Sequence, residues 1–77
     1  MTIHEAHVLL YALGVGDRVL LADAEGGTAA AAVTKGWHHP DGHGAIGDCG
    51  ISTNHPAAPY ITAGDLAAGR LTVTPAK

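Results

Sequence analysis

Apolar positions in the first fourteen residues recur at helical spacing. Ile3, Ala6, Leu10 and Leu13 fall on one stripe, widened by Leu9. That is the pattern of an amphipathic helix over residues 2–14. Thr2 and Glu5 stand three apart, the spacing of a capping box, which satisfies two N–H groups that a helix start leaves orphaned. Gly14 suits the position just past a helix end, with Val15 as its hydrophobic partner. His4, His7 and Tyr11 lie on a neighbouring stripe. They read as the solvated edge of the helix, with a two-histidine metal clamp as the alternative.

Beyond residue 15 the pattern becomes short apolar runs between turn residues, which predicts strands. Asp17 to Ala22 carries Val and Leu, "AEGG" supplies turn chemistry, and Thr28 to Trp37 is the return strand of a hairpin. Four consecutive alanines favour helix, so a short helix capped by Thr28 and ended by Gly36 is the competing reading. The flanking turns and the ending "VTKGW" favour the strand. "HPDGHG", residues 39–44, is a loop built on Pro40 and the Asp41-Gly42 pair. "AIGDCGIS", residues 45–52, reads as a third strand. Ile46 and Ile51 have opposite parity, so this strand needs a bulge at Gly47 or Gly50. "TNHPAAP" is a second turn-rich loop and "YIT" a short strand. "TAGDLAAG" is one helical or 3-10 turn, with Thr62 and Asp65 at capping spacing and Gly69 as its stop. "RLTVT", residues 70–74, is the last strand.

The chain therefore reads as one domain over residues 1–77 and mainly β: helix 2–14, then about five short strands over 15–74. In order and spacing it resembles the SH3-like small β-barrel. The resemblance rests on the "GDRV" first strand, the turn-rich connections and the "DL"-containing turn before a short final strand. It implies a binding surface for protein, peptide or nucleic acid built from the loops around the barrel, and no particular function beyond that.

Composition narrows the choice. Of 77 residues, 15 are Ala and only 16 are Val, Leu or Ile. There is no Phe, one Trp and two Tyr. A chain of this size buries only about 60% of its unfolded surface, so a small aliphatic core implies help from a partner subunit, a larger complex or a metal. The alanine and glycine content points to a GC-rich genome, an actinobacterium or its phage. The net charge is −3 and the four basic residues are scattered. No basic stripe exists to neutralise phosphates, which argues against nucleic-acid binding. The longest apolar run, "VLLYALGV", is too short to span a bilayer. One cysteine cannot close an internal disulfide, and a cytoplasmic location is expected.

Six histidines dominate the response to pH near neutrality, since charging all of them moves the net charge from −3 to about +3. Four fall within residues 36–55, beside Cys49. Zinc takes four N, S or O ligands at about 2.0–2.3 Å. His39 and His43 have H-x3-H spacing, and Cys49 and His55 could complete the set, with His38 and Asp41 nearby. No C-x-x-C pair accompanies them, so a solvated loop is the competing reading. Cys49 falls in an expected strand, where a small structural thiol is the ordinary role. No carboxylate pair or phosphate-binding glycine loop is present, so an enzyme is not expected. Trp37, His38, His39 and Tyr60 form the candidate binding surface, because aromatic anchors in loops dominate many interfaces. Trp37 and Tyr60 could equally cap the core. Two functions follow: a non-enzymatic interaction module of phage or mobile-element type, binding a protein partner or itself, or a zinc-binding protein.

Overall fold

A computed structural model of the chain describes residues 1–39 and 46–76. The expected loop 39–44 lies almost wholly outside them, as does His43.

Helix α1 spans Ile3–Tyr11, with Thr2 as N-cap. The capping box forms as its spacing requires: Thr2 Oγ1 accepts from Glu5 N at 3.1 Å, and Glu5 Oε1 accepts from Thr2 N at 2.9 Å. The inner stripe is buried at Ala6, Leu10 and Leu13. The helix stops earlier than Gly14, at Ala12, whose backbone stays in the right-handed region. Leu13 turns into the core, and Gly14 N–H donates to Asp17 Oδ2 at 2.8 Å. This local turn replaces the glycine cap expected at residue 14.

Strand β1 is Arg18–Asp23 and β2 is Thr28–His38. Between them Asp23 Oδ1 accepts from the N–H groups of Glu25 and Gly27, and Gly26 takes a φ of 91°. Glycine adopts that left-handed backbone without steric cost. The alanine run is strand, not helix. Ala29 to Ala32 pair with Leu21 back to Arg18, so the hairpin and the core overrule helical propensity.

Strand β3 covers Gly50–Thr53, shorter than expected, and a 3-10 turn occupies Ile46–Asp48. Ile46 and Ile51 therefore belong to different elements, and their parity needs no bulge. The irregularity falls in β2 instead, with register shifts between Val33 and Lys35 and between Lys35 and His38. Strand β4 is Tyr60–Thr62. Helix α2, Ala63–Ala67, opens with a second capping box, Thr62 with Asp65. It closes in a Schellman arrangement: Gly69 N–H bonds Leu66 O, and Arg70 N–H bonds Asp65 O. Strand β5 is Leu71–Pro75.

All pairings are antiparallel, and the sheet order is β4-β3-β2-β1-β5. The protein is thus mainly β, one five-stranded sheet with an N-terminal helix. β2 is long enough to serve two ladders, one with β1 and the other with β3. The sheet is open: β4 and β5 are its outer strands, joined in the chain by α2. Val19, Leu21, Val33, Ile51, Ile61 and Val73 fill the core from the strands, and Leu66 enters from α2. No helix among the described residues is long and apolar enough to cross a membrane.

Candidate functional site

The sequence groups Trp37, His38, His39 and Tyr60 as one surface. The structure divides them. Trp37 turns toward α1, where the His7 ring stands edge-on to it with centroids 4.5 Å apart. Tyr11, one helical turn beyond His7, lies 5.5 Å from that ring and 6.4 Å from Trp37. The three rings form one cluster. Trp37 is half-buried against the core, while Tyr11 is 66% exposed and Val8 beside it 54% exposed. The stripe read as a solvated edge is therefore divided too. His4 is exposed, whereas His7 is wedged between Trp37 and Tyr11 and its Nδ1 is buried without a hydrogen-bond partner. Sequence reasoning missed His7 as part of this surface. The available signal was its spacing to Tyr11, but nothing local indicated that Trp37 would lie beneath it.

His38 faces the other way. Its Nδ1 lies 2.6 Å from Gly36 O, its Nε2 lies 3.4 Å from Ser52 Oγ, and its ring packs on Tyr60 with centroids 5.1 Å apart. The carbonyl contact makes Nδ1 the donor, leaving Nε2 to accept from Ser52. The Tyr60 hydroxyl lies 2.9 Å from His38 O and 2.8 Å from Asp48 O. Its proton is shared between two carbonyls that flank residues 39–47 on either side. Tyr60 thus clasps the end of β2 to the end of the 3-10 turn. Burial, reinforced by Cys49 and Asp48, pushes its hydroxyl above the ordinary tyrosine range.

Of the expected zinc ligands, His43 lies outside the described residues. The His38–Gly50 pairing brings His39 and Cys49 to the same end of the β2–β3 ladder. His55 lies two residues past the other end of β3, in the turn after Thr53. Its Nδ1 accepts from Ala57 N at 3.1 Å, and its own N–H donates to Thr53 Oγ1. The four extended residues of β3, Gly50–Thr53, separate Cys49 from the turn that holds His55, roughly 13 Å at about 3.3 Å per residue. That exceeds the span of one zinc coordination sphere. Among the described residues no three His, Cys, Asp or Glu side chains converge.

A half-sunk ring braced by two others presents apolar area at a low entropic cost. No family model matches this chain, and no curated protein or solved structure proves similar to it.

Proposed function

We propose that the chain is a non-enzymatic, cytoplasmic interaction module, an SH3-like barrel left open between β4 and β5, with a helical appendage. It binds a protein partner or a second copy of itself through the His7–Tyr11–Trp37 cluster. The barrel assignment draws on β1 pairing with both β2 and β5, on a long β2 shared by two ladders, and on a helical turn before the last strand. The observation that carries the function is the use of aromatics. In a chain with one Trp, two Tyr and no Phe, two of the three gather at the surface beside Val8, while the core is filled by aliphatics. Trp37 packs one side against that core, and Tyr11, 66% exposed, leaves its ring area open for contact.

Native mass spectrometry of the untagged protein, before and after EDTA, tests this together with Tyr11→Ala. The expected result is a metal-free assembly, with itself or with a co-purified protein, that Tyr11→Ala weakens. Because Tyr11 is largely exposed, the variant keeps the fold. A protein that stays partner-free and monomeric would refute the reading.

Zinc binding stands as a second reading on one observation, the placement of His39 and Cys49 at the same end of the β2–β3 ladder. Stoichiometric zinc released by EDTA would put this reading first. The ligand set would then have to exclude His55.

A further inference from the structure

Leu71 opens β5 and Ala58 stands just ahead of β4, the two outer strands of the sheet. Both line a cleft of about 390 Å³, within the size range of small-ligand sites. The cleft reaches down to buried Leu21, with half-buried Ala29 beside it. Asp23, Thr28 and His55 supply its polar lining. It lies at the Thr28 end of β2, whereas Trp37 lies at the other end. The cleft is therefore separate from the aromatic cluster.

Two of the polar groups each keep one hydrogen-bonding position to spare. His55 Nδ1 accepts from Ala57 N at 3.1 Å, so in the neutral ring the proton sits on Nε2. That N–H meets no acceptor among the described residues. Asp23 Oδ1 takes the N–H groups of Glu25 and Gly27, and Oδ2 takes neither. Gly27 keeps Oδ2 uncovered, since a Cβ there would lie 2.7 Å from it. The local charge has one sign. Exposed Glu25 follows Asp23, and among the described residues no Lys or Arg lines the cleft. Arg70, beside Leu71 in sequence, is paired with Asp65 at 3.0 Å.

We infer that this cleft holds a lysine side chain of a partner protein, independently of the aromatic cluster. A carboxylate oxygen beside an apolar cleft asks for a cation on an aliphatic stem. Lysine has that form, an ammonium point charge on a stem that buries along apolar surface. A guanidinium fork suits a carboxylate with both oxygens open, and Asp23 Oδ1 is already taken. A quaternary ammonium favours aromatic walls, and among the described residues no Trp or Tyr lines the cleft. His55 Nε2–H asks for an acceptor. A free alkylamine has none to give, whereas a lysine residue carries its own backbone carbonyl. Asp23 Oδ2 thus takes the ammonium, Leu21, Leu71 and Ala58 take the stem, and His55 takes the carbonyl.

Amide NMR spectra of the full chain, titrated with Nα-acetyl-lysine methylamide, test the inference. The amides of Leu21, Gly27, Ala58 and Leu71 should shift saturably at millimolar concentration while those of His7 and Trp37 stay in place. The matching norleucine derivative has the same stem without the ammonium and should bind at least about tenfold more weakly. Asp23→Asn removes the charge but keeps an oxygen for the Glu25 and Gly27 N–H groups. It should cause the same loss for the lysine derivative, with the rest of the spectrum unchanged. Butylamine, which lacks the carbonyl, should bind more weakly than the lysine derivative, and His55→Ala should erase that difference. The comparison of probes on the wild-type chain stands even if a variant fails to fold. Absence of saturable shifts would overturn the inference, as would shifts centred on Trp37 or a norleucine derivative that binds equally well. Butylamine binding as tightly as the lysine derivative would also overturn it, making the cleft a site for free amines.

Discussion

Gly50 is the position where a single methyl group should do most harm. It opens β3, where the chain crosses β4 at close quarters. A Cβ there would overlap the Ile61 carbonyl oxygen, and would lie 2.6 Å from the Ile61 carbonyl carbon and 2.7 Å from Thr62 Cα. All three are backbone atoms, so no rotamer change relieves the clash and the two strands must part. Overpacking costs about 1–3 kcal/mol where side chains can yield. With backbone on both sides, Gly50→Ala belongs at the upper end, about 3 kcal/mol. At about 0.05–0.15 kcal/mol per residue, a chain of 77 residues holds about 4–12 kcal/mol in total. The variant loses a quarter or more of that. At about 4–8 °C per kcal/mol for a domain this small, its Tm should fall by roughly 12–24 °C. Urea unfolding followed by the fluorescence of half-buried Trp37, the single tryptophan, measures the loss directly. Gly14→Ala is the control. A Cβ at Gly14 meets nothing nearer than Asp17 Oδ2 at 4.0 Å, and its φ is not positive. Restricting the unfolded chain there should stabilise by about 0.4–1 kcal/mol. If the two variants moved the midpoint alike, the close approach of β3 and β4 would be wrong.

The clasp and the second helix cap give further tests. Tyr60→Phe deprives the His38 and Asp48 carbonyls of their shared donor and should cost about 1–2 kcal/mol. Hydrogen exchange should quicken first at the end of β2 and around the 3-10 turn; uniform protection would contradict the clasp. At Asp65, burial works against ionisation. The Thr62 N–H, the Arg70 guanidinium and the Thr62 hydroxyl outweigh it and hold the carboxyl below its ordinary range. A depressed carboxyl contributes stability that is complete above the unfolded value of about 3.9 and is lost as pH falls through the lower folded value. Glu5, lowered by its bonds to Thr2, acts in the same direction. Melting temperature should therefore decline below about pH 4, and Asp65→Asn should flatten that decline. Thr62→Ala should cost about 1 kcal/mol through its lost cap, read as a lower urea midpoint.

The elements with local causes were legible in the chain. Thr2 with Glu5, and Thr62 with Asp65, are three residues apart, and both capping boxes form because their partners are neighbours in sequence. The β1–β2 turn follows from Asp23 and its glycines in the same way. The helix stripe named Ile3, Ala6, Leu10 and Leu13, and all but Ile3, which is 37% exposed, are buried. What depended on distant contacts was not legible. The strand at Ala29 to Ala32 is the exception: the flanking turns and "VTKGW" favour it against a local preference for helix, and pairing with β1 across the hairpin bears it out. Ile46 and Ile51 were read as one strand because nothing nearby signalled the 3-10 turn between them. His7 looked like any histidine on a helix edge, and Trp37 like any aromatic at a strand end. Their contact is a long-range one, made when α1 settles on β2, and it is this contact that builds the surface. The same long-range packing turns Trp37 away from His38 and sets Cys49 and His55 at opposite ends of β3. Sequence by itself determined where hydrogen bonds between near neighbours close. Tertiary structure decided which chemistry-bearing side chains share a surface, because side chains distant in sequence meet only through the packing of the elements that carry them.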